Sequence, residues 1–328
     1  MGFGYYLEIS IIRIIRNYFM NKIYDLIIIG GGPAGVSAGV YAARKRLKTL
    51  LITPDFGGQS TVSEGIENWI GTVKISGSDL AKNLREHLLA YSGEYLEIKE
   101  GEGAQDISKN SDIFNVKTEK SEYEAKTVLI ATGSTRRKLE VPGAIEFDNK
   151  GLTYCASCDG PLFAGQDVVV VGGGNAAFET SAQLLAYCKS VTLLNRSENL
   201  RADAITVNKL KENPNFKLIV NAVPKEIKGD KFVKSIVWEN SQTKEVGEIE
   251  TPAVFVEIGL IPTTYFAKNI LNLNEVGQIK VDPRNQKTEV AGIWAAGDCT
   301  DGLYHQNNIA SGDAVKALED IYVTLFTK

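Results

Sequence analysis

The sequence predicts an α/β protein built from two doubly wound, three-layer domains. Three observations predict it. The segment DLIIIGGGPAGVSAGVYAARK, Asp25 to Lys45, runs from aliphatic residues through three glycines into an alanine-rich, helix-like stretch. The segment DVVVVGGGNAAFETSAQLLAYCK, Asp167 to Lys189, repeats that pattern. The two glycine runs stand 142 residues apart, Gly30 to Gly172, which is about one domain in a chain of 328 residues.

The first unit reads as strand, glycine turn, helix. Its short aliphatic run suits a buried parallel strand. In Gly30-x-Gly32-x-x-Gly35 the first glycine permits a tight turn and the second lets backbone approach a pyrophosphate. The third lets helix and strand pack closely, with the helix N-terminus facing negative charge. That context makes the run a nucleotide-binding turn, so the domains are Rossmann-like. The second unit, Gly172-x-Gly174-x-x-Ala177, is a variant with alanine third. After its next strand, VTLLN, come Arg196 and Arg201. An acid there would hold a ribose 2′-hydroxyl, whereas arginine suits a 2′-phosphate and favours NADPH. The plainer alternative is a pair of solvated loop arginines.

Other elements follow in order. The alternation from Ile107 to Ala125 predicts antiparallel strands. KTVLIATGS, Lys126 to Ser134, is a buried strand ending in a glycine turn, and GIWAAGDC, Gly292 to Cys299, is a similar one. Ile309 to Phe326 has helical spacing and no proline.

The first nineteen residues are apolar and aromatic, but Glu8, Arg13 and Arg16 interrupt them. They make neither a membrane span nor a signal peptide. Two readings stand: an upstream start codon with Met20 the natural beginning, or an amphipathic segment touching a membrane or partner.

The composition is that of a globular protein, with 44% hydrophobic residues, 23% charged residues and a net charge of −4. It lacks the basic excess of a nucleic-acid binder, and neither nucleic acid nor membrane is an expected partner. Four cysteines in so long a chain do not make a secreted disulfide scaffold, which points to the cytoplasm. Cys155-Ala156-Ser157-Cys158 is followed by Asp159 and Gly160. Two thiols at this spacing can close a small disulfide ring, often with one depressed pKa. A zinc site needs about four ligands. With no second CxxC and two histidines, His87 and His305, no metal is expected. The alternative for the pair is inert buried thiols. Asp159 is placed to act as acid or base for a thiol, or else is a turn residue before Gly160. Cys188, in the alanine-rich helix, and Cys299 read as core, and His87 as surface.

These residues together resemble the low-molecular-weight thioredoxin reductases, from about Lys22 to the C-terminus. The resemblance is carried by GGGPAG at 30–35, GGQ at 57–59, ENW at 67–69, ATGS at 131–134, CASCDG at 155–160, GGGNAA at 172–177 and AAGDC at 295–299. CDGPLF, 158–163, is also similar to the reductase component of alkyl hydroperoxide reductase. The resemblance implies a homodimer with one FAD per subunit. It implies an FAD domain formed by 20–137 and 260–328, with an NAD(P)H domain carrying the CxxC, 138–259, inserted between. Hinges near Arg137 and Gly259 would let the CxxC alternate between flavin and partner. The implied FAD set is Gly30, Gly32, Pro33, Ala34, Gly35, Thr53, Gly58, Gln59, Asn68, Ala131, Thr132, Gly133, Gly297, Asp298, Gln306 and Asn307. The implied nicotinamide set is Gly172, Gly174, Asn175, Ala176, Glu179, Arg196, Arg201 and Ile258. Cys158 would face the flavin, Cys155 would attack a thioredoxin-like partner, and Asp159 would handle protons.

Several positions depart from the family. Its 2′-phosphate loop, His-Arg-Arg with a later Arg, reads Asn195-Arg196-Ser197 with Arg201 kept. That weakens the preference for NADPH and opens NADH or another donor. His305 replaces the usual Arg or Lys before Gln306, and Asn307 and Asn308 follow it. Thr53 stands where many dinucleotide folds have an acid, with Asp55 nearby. The expected activity is reduction of a thioredoxin-like disulfide protein by NADPH through FAD and the Cys155/Cys158 pair. The alternatives are an NADH-dependent or ferredoxin-fed reductase of a peroxidase or glutaredoxin-like partner, and a non-catalytic flavoprotein redox sensor.

Overall fold

Two aliphatic strands, each running into three glycines, set the architecture of the computed structural model, which describes residues 22–63 and 65–327. Both readings of residues 1–19 lie outside the described residues. The chain forms two compact units. Among the described residues, unit 1 comprises 22–59, 80–134 and 262–327, and unit 2 comprises 60–63, 65–79 and 135–261.

Unit 1 opens with β1 (Ile23–Ile29), α1 (Pro33–Arg44) and β2 (Thr49–Thr53). Next come α2 (Gly77–Leu89), β3 (Leu96–Glu100), β4 (Ala104–Asn110), β5 (Ile113–Thr118) and β6 (Glu122–Ile130). The chain then passes through β7 (Ser134–Arg136), β8 (Leu152–Thr153), α3 (Ala156–Asp159), β9 (Asp167–Gly172), α4 (Asn175–Leu184), β10 (Ser190–Leu194) and α5 (Ala204–Lys211). It continues with β11 (Phe216–Ile219), β12 (Ala222–Gly229), β13 (Val233–Asn240), β14 (Val246–Glu250), β15 (Val254–Glu257) and β16 (Leu260–Pro262). It returns to unit 1 with β17 (Ile293–Ala295) and α6 (Asn307–Phe326).

The unit 1 sheet has strand order β3-β2-β1-β6-β5-β4, with β17 also on β6. Strands β3, β2, β1, β6 and β17 run parallel, and β4, β5 and β6 form the antiparallel meander that the alternation predicted. Strand β6 serves two neighbours on one side. Glu122–Ala125 pair with β5, and Val128–Ile130 pair with β17. Strand β17 is shorter than the GIWAAGDC run because Gly297 turns the chain at φ 76°. Tyr24, Ile27, Ile29, Leu50, Ile52, Phe114, Val128, Ile130 and Cys299 make one continuous core. Burying an aliphatic side chain of this size contributes about 1.5–3 kcal/mol.

Unit 2 has a parallel sheet of order β11-β10-β9-β15-β8 and a separate antiparallel sheet β12-β13-β14. In both units the second and third strands lie on one side of the glycine-turn strand, and a later strand lies on the other. That reversal of direction is the switch point where doubly wound sheets bind ligands. The two faces of the unit 2 sheet carry different cores. Val169, Val171, Val254 and Val256 point towards β12 and β13, while Val170 and Phe255 point towards α4 and α5, where Phe178 of α4 meets them. This is the period-two alternation of a strand covered on both sides. Cys188 is core, but it lies past the end of α4. The chain must turn there to enter β10 at Ser190, and the Cys188 N–H returns to Leu184 O at 2.7 Å.

Candidate active site

In unit 1, Gly30 takes φ 122°, and a Cβ on it would lie 2.2 Å from Ala131 O. A Cβ on Gly35 would lie 1.8 Å from Gly30 O. These two positions exclude a side chain for packing reasons. Gly32 differs. It is extended (φ −77°, ψ −173°), nothing lies within 4 Å of its Cβ position, and it begins α1 without a side-chain cap. Pro33 follows, and the first turn holds no acid. The leading N–H groups of α1 therefore face open space with the positive end of the helix dipole behind them. Gly58 adjoins this cradle, 3.8 Å from Gly32 Cα to its Cβ position, and Gly133, at φ 65°, also faces open space. Ala34 and Ala310 pack against Gly297, so small residues close the α1–α6 contact.

Around this turn, Gln59 Nε2 donates to Ser134 Oγ at 3.1 Å and to Asp298 Oδ2 at 3.4 Å. Gln59 Oε1 is buried and has no partner. His305 Nδ1 stands 3.5 Å from Asp298 Oδ1. Gln306 is the N-cap residue of α6 and Asn307 is its first helical residue. Thr132 donates to Thr263 O at 2.6 Å, and Thr53 donates to the Asp55 carbonyl. Among the expected FAD set, Asn68 belongs to unit 2.

Unit 2 repeats the cradle. A Cβ on Gly172 would lie 2.4 Å from Glu257 O, and one on Gly173 would lie 2.0 Å from Asn195 Oδ1. Gly174 begins α4 uncapped and extended, with nothing within 4 Å. The Arg201 N–H donates to Gly173 O at 2.9 Å, so the chain after β10 is tied to the glycine turn. Arg196 and Arg201 are exposed at this end of the sheet. Asn195 is buried and donates to Ser197 O at 2.6 Å. Asn175 Oδ1 accepts from Asp203 N at 2.8 Å. Ala176 and Glu179 are exposed on α4, and Ile258 is half-buried just after β15. An open uncapped glycine at each turn fits the anionic pyrophosphate of a dinucleotide, and the buried unpaired Gln59 Oε1 in unit 1 fits a donor N–H or O–H group on a ligand.

Cys155 and Cys158 form a disulfide with Cα atoms 5.3 Å apart. Both are half-buried, at the start and within the single turn of α3. The turn is closed by the Cys158 and Asp159 N–H groups on Cys155 O, at 3.3 and 3.0 Å. Thr153, at the end of β8, donates its hydroxyl to Asp159 and accepts from Cys155 N at 3.3 Å. This threonine links the carboxylate to the backbone of the first cysteine. It had no signal in the sequence beyond lying two residues before Cys155.

Glu257 is also absent from the sequence-based set. It ends β15, half-buried, and accepts from Thr180 Oγ1 at 3.0 Å. Burial raises its carboxyl above the ordinary 4.5, against the opposing pull of Arg136 and of the Thr180 hydrogen bond. The other two thiols are free and buried. Burial pushes Cys299 up to about 11 and raises Cys188 as well. Among the described residues, no group of three or more His, Cys, Asp or Glu is placed to hold a metal. No helix among them is long and apolar enough to cross a membrane.

Against this geometry, a family model described as pyridine nucleotide-disulphide oxidoreductase matches residues 24–314. The chain is 39% identical over 295 residues to a protein named NADH dehydrogenase from Bacillus subtilis, covering 90% of this chain and 57% of that one. It is equally similar, with the same coverage, to a component of alkyl hydroperoxide reductase from Staphylococcus epidermidis. The chain thus spans 57% of the length of these curated relatives. Among solved structures, thioredoxin reductase from Streptococcus pyogenes superposes with a TM-score of 0.85 at 36% identity, over 94% of this chain and 100% of that one. Thioredoxin reductase from Giardia duodenalis gives 0.86 at 32% identity, over 93% and 99%.

Proposed function

Because this chain belongs to the pyridine nucleotide-disulphide oxidoreductase family, we propose that it is an FAD-dependent disulfide reductase serving a thioredoxin-like protein. The net reaction oxidises one NAD(P)H, consumes one proton and turns a partner disulfide into two thiols. The observation that carries the reading is the Cys155–Cys158 disulfide, set at a half-buried helical turn with Asp159 beside it.

The residues of unit 1 hold the flavin nucleotide. Gly32 and the N-terminus of α1 would hold its pyrophosphate, and Gln59 and Asp298 would bond its polar edge. Bound FAD supplies the two-electron chemistry that connects a nicotinamide to a disulfide. Gly174 and the N-terminus of α4 hold the pyrophosphate of the nicotinamide dinucleotide. By the resemblance, Cys158 faces the flavin and Cys155 attacks the partner disulfide as a thiolate, through a mixed disulfide that Cys158 resolves. Asp159, oriented by Thr153, takes and returns the thiol protons. The reading has a homodimer working in the cytoplasm, where a dithiol stays reducible.

NADPH is the first choice of donor, on Arg196 and Arg201. One observation favours NADH: Ser197 supplies no charge, and Asn195 is committed to the backbone of its own loop. The test is anaerobic reduction of the yellow protein by NADPH and NADH separately, then turnover with thioredoxin-like disulfides. Wild type should turn over and Cys155→Ser should not, while its flavin is still reduced by the nicotinamide. Full turnover by Cys155→Ser would overturn the dithiol role.

A further inference from the structure

We propose that Glu257 is a specificity-determining residue that lets the nicotinamide site of unit 2 tell the oxidised ring from the reduced one by charge. The inference rests on the reading of unit 2 as the nicotinamide-binding unit.

The placement follows from topology. The switch point of the unit 2 sheet lies between β9 and β15, and a dinucleotide lies across the carboxyl ends of these strands. Its adenosine half extends towards the end of β10, where Asn195 and Arg196 follow. The nicotinamide half therefore extends the other way, over the end of β15. Glu257 is the last residue of that strand and is in register with Gly172, the first glycine of the turn. Its side chain shares a sheet face with Phe255, the face covered by α4, where Thr180 Oγ1 donates to its Oε1.

The groups facing it are few. Helix α4 contributes Glu179 and the Thr180 hydroxyl, β7 contributes Arg136, and β9 contributes the backbone of Gly172. A carboxyl partly withdrawn from water at this spot has two forms of unequal use. The oxidised nicotinamide ring carries a positive charge and the reduced ring none. A carboxylate stabilises the first, and a neutral acid favours neither. The pyrophosphate is common to both nucleotides, so its repulsion of Glu257 cancels in their ratio. Burial holds the acid form above the ordinary 4.5, so the changeover falls above that value. Binding of the oxidised nucleotide then drives Glu257 to give up its proton to solvent.

The experiment is calorimetric binding to the flavin-loaded protein. The probes are NAD+ and 1,4,5,6-tetrahydro-NAD, a neutral-ring form that cannot reduce the flavin, and their NADP counterparts. In wild type the affinity ratio of charged to neutral ring should rise about tenfold with pH, the scale of two unit charges about 12 Å apart in a medium of effective dielectric about 20. Glu257→Gln should flatten that rise. Thr180→Val, which removes the hydrogen bond favouring the carboxylate, should move it to higher pH. A purely structural Glu257 would change both affinities together and leave the ratio alone. A wild-type ratio independent of pH, or a Glu257→Gln ratio that still rises, overturns the inference. Binding of neither probe pair by wild type would instead remove the reading of unit 2, and the inference with it. If Glu257→Gln does not fold, the wild-type profile and Thr180→Val decide.

Discussion

Gly32 and Gly35 stand three residues apart in one turn, yet alanine at each is expected to damage a different property. At Gly35 the new methyl would lie 1.8 Å from Gly30 O and 2.8 Å from Gly30 C. The obstacle is backbone, and Gly30 is itself tied to Ile52 O at 2.8 Å. Helix α1 would have to back away from β1 by about 1.2 Å to restore a tolerable contact, at a cost of about 3 kcal/mol, the upper end for overpacking. The melting midpoint then falls by about 10 °C. At Gly32 the backbone is one any residue adopts, and no atom lies within 4 Å of the added methyl. The fold should keep its stability within about 0.5 kcal/mol. The methyl instead fills the face where a pyrophosphate oxygen would meet the helix N–H groups. Losing one charge-assisted hydrogen bond there costs about 1.5–3 kcal/mol, roughly ten- to hundredfold in affinity. Thermal melting of the flavin-free variants and FAD titration by flavin fluorescence separate the two effects. Wild-type FAD affinity in Gly32→Ala would refute the assignment of the cradle. A wild-type midpoint in Gly35→Ala would refute the packing account.

Three further outcomes are expected. After reduction, two thiols per chain should alkylate readily in the folded protein, because Cys188 and Cys299 are buried with raised pKa; a titre of four in the native state would contradict this. Ser197→Arg should raise the NADPH-to-NADH ratio of kcat/KM about tenfold by supplying a 2′-phosphate contact, and an unchanged ratio would discard the loop as a determinant. Glu97 is raised by burial, but hydrogen bonds from Lys22, Tyr24 and Lys99 outweigh this and hold it at about 2. Its contribution to stability is full above the ordinary 4.5 and is lost as pH falls towards 2. Acid-unfolding curves should therefore show Glu97→Gln losing less stability than wild type over that interval.

The two glycine turns were legible because their geometry leaves little choice. A positive φ at Gly30 and contacts under 2.5 Å at Gly30, Gly35, Gly172 and Gly173 admit no side chain, and that necessity is written directly into the residue type. The meander from Ala104 to Ile130 was legible because one face is wet, so its residues alternate. The parts that escaped notice are those where tertiary contact assigns the role. Thr153 is an ordinary strand residue until the chain folds and Asp159 meets it. Glu257 ends an aliphatic run and resembles an exposed strand terminus, and burial against α4 gives it its character. The sheet β12-β13-β14 drew no reading, since its strands alternate weakly and lie between more strongly patterned neighbours.

The pairing of β17 with β6 has a consequence for biosynthesis. Ile130 cannot meet its partner Ala295 until most of the residues that follow it have been made. Unit 2 needs no such wait, since its parallel sheet lies wholly within 152–257. Its own ends are joined by the Arg137 N–H on Gly259 O at 3.0 Å. Once that bond forms, the loop separating β6 from β17 shrinks roughly fourfold in effective length, which lowers the entropy of closure by about 1 kcal/mol. If unit 2 closes first, it brings the two separated parts of the unit 1 sheet together at lower entropic cost, and the order of folding then matters to the yield of the whole chain.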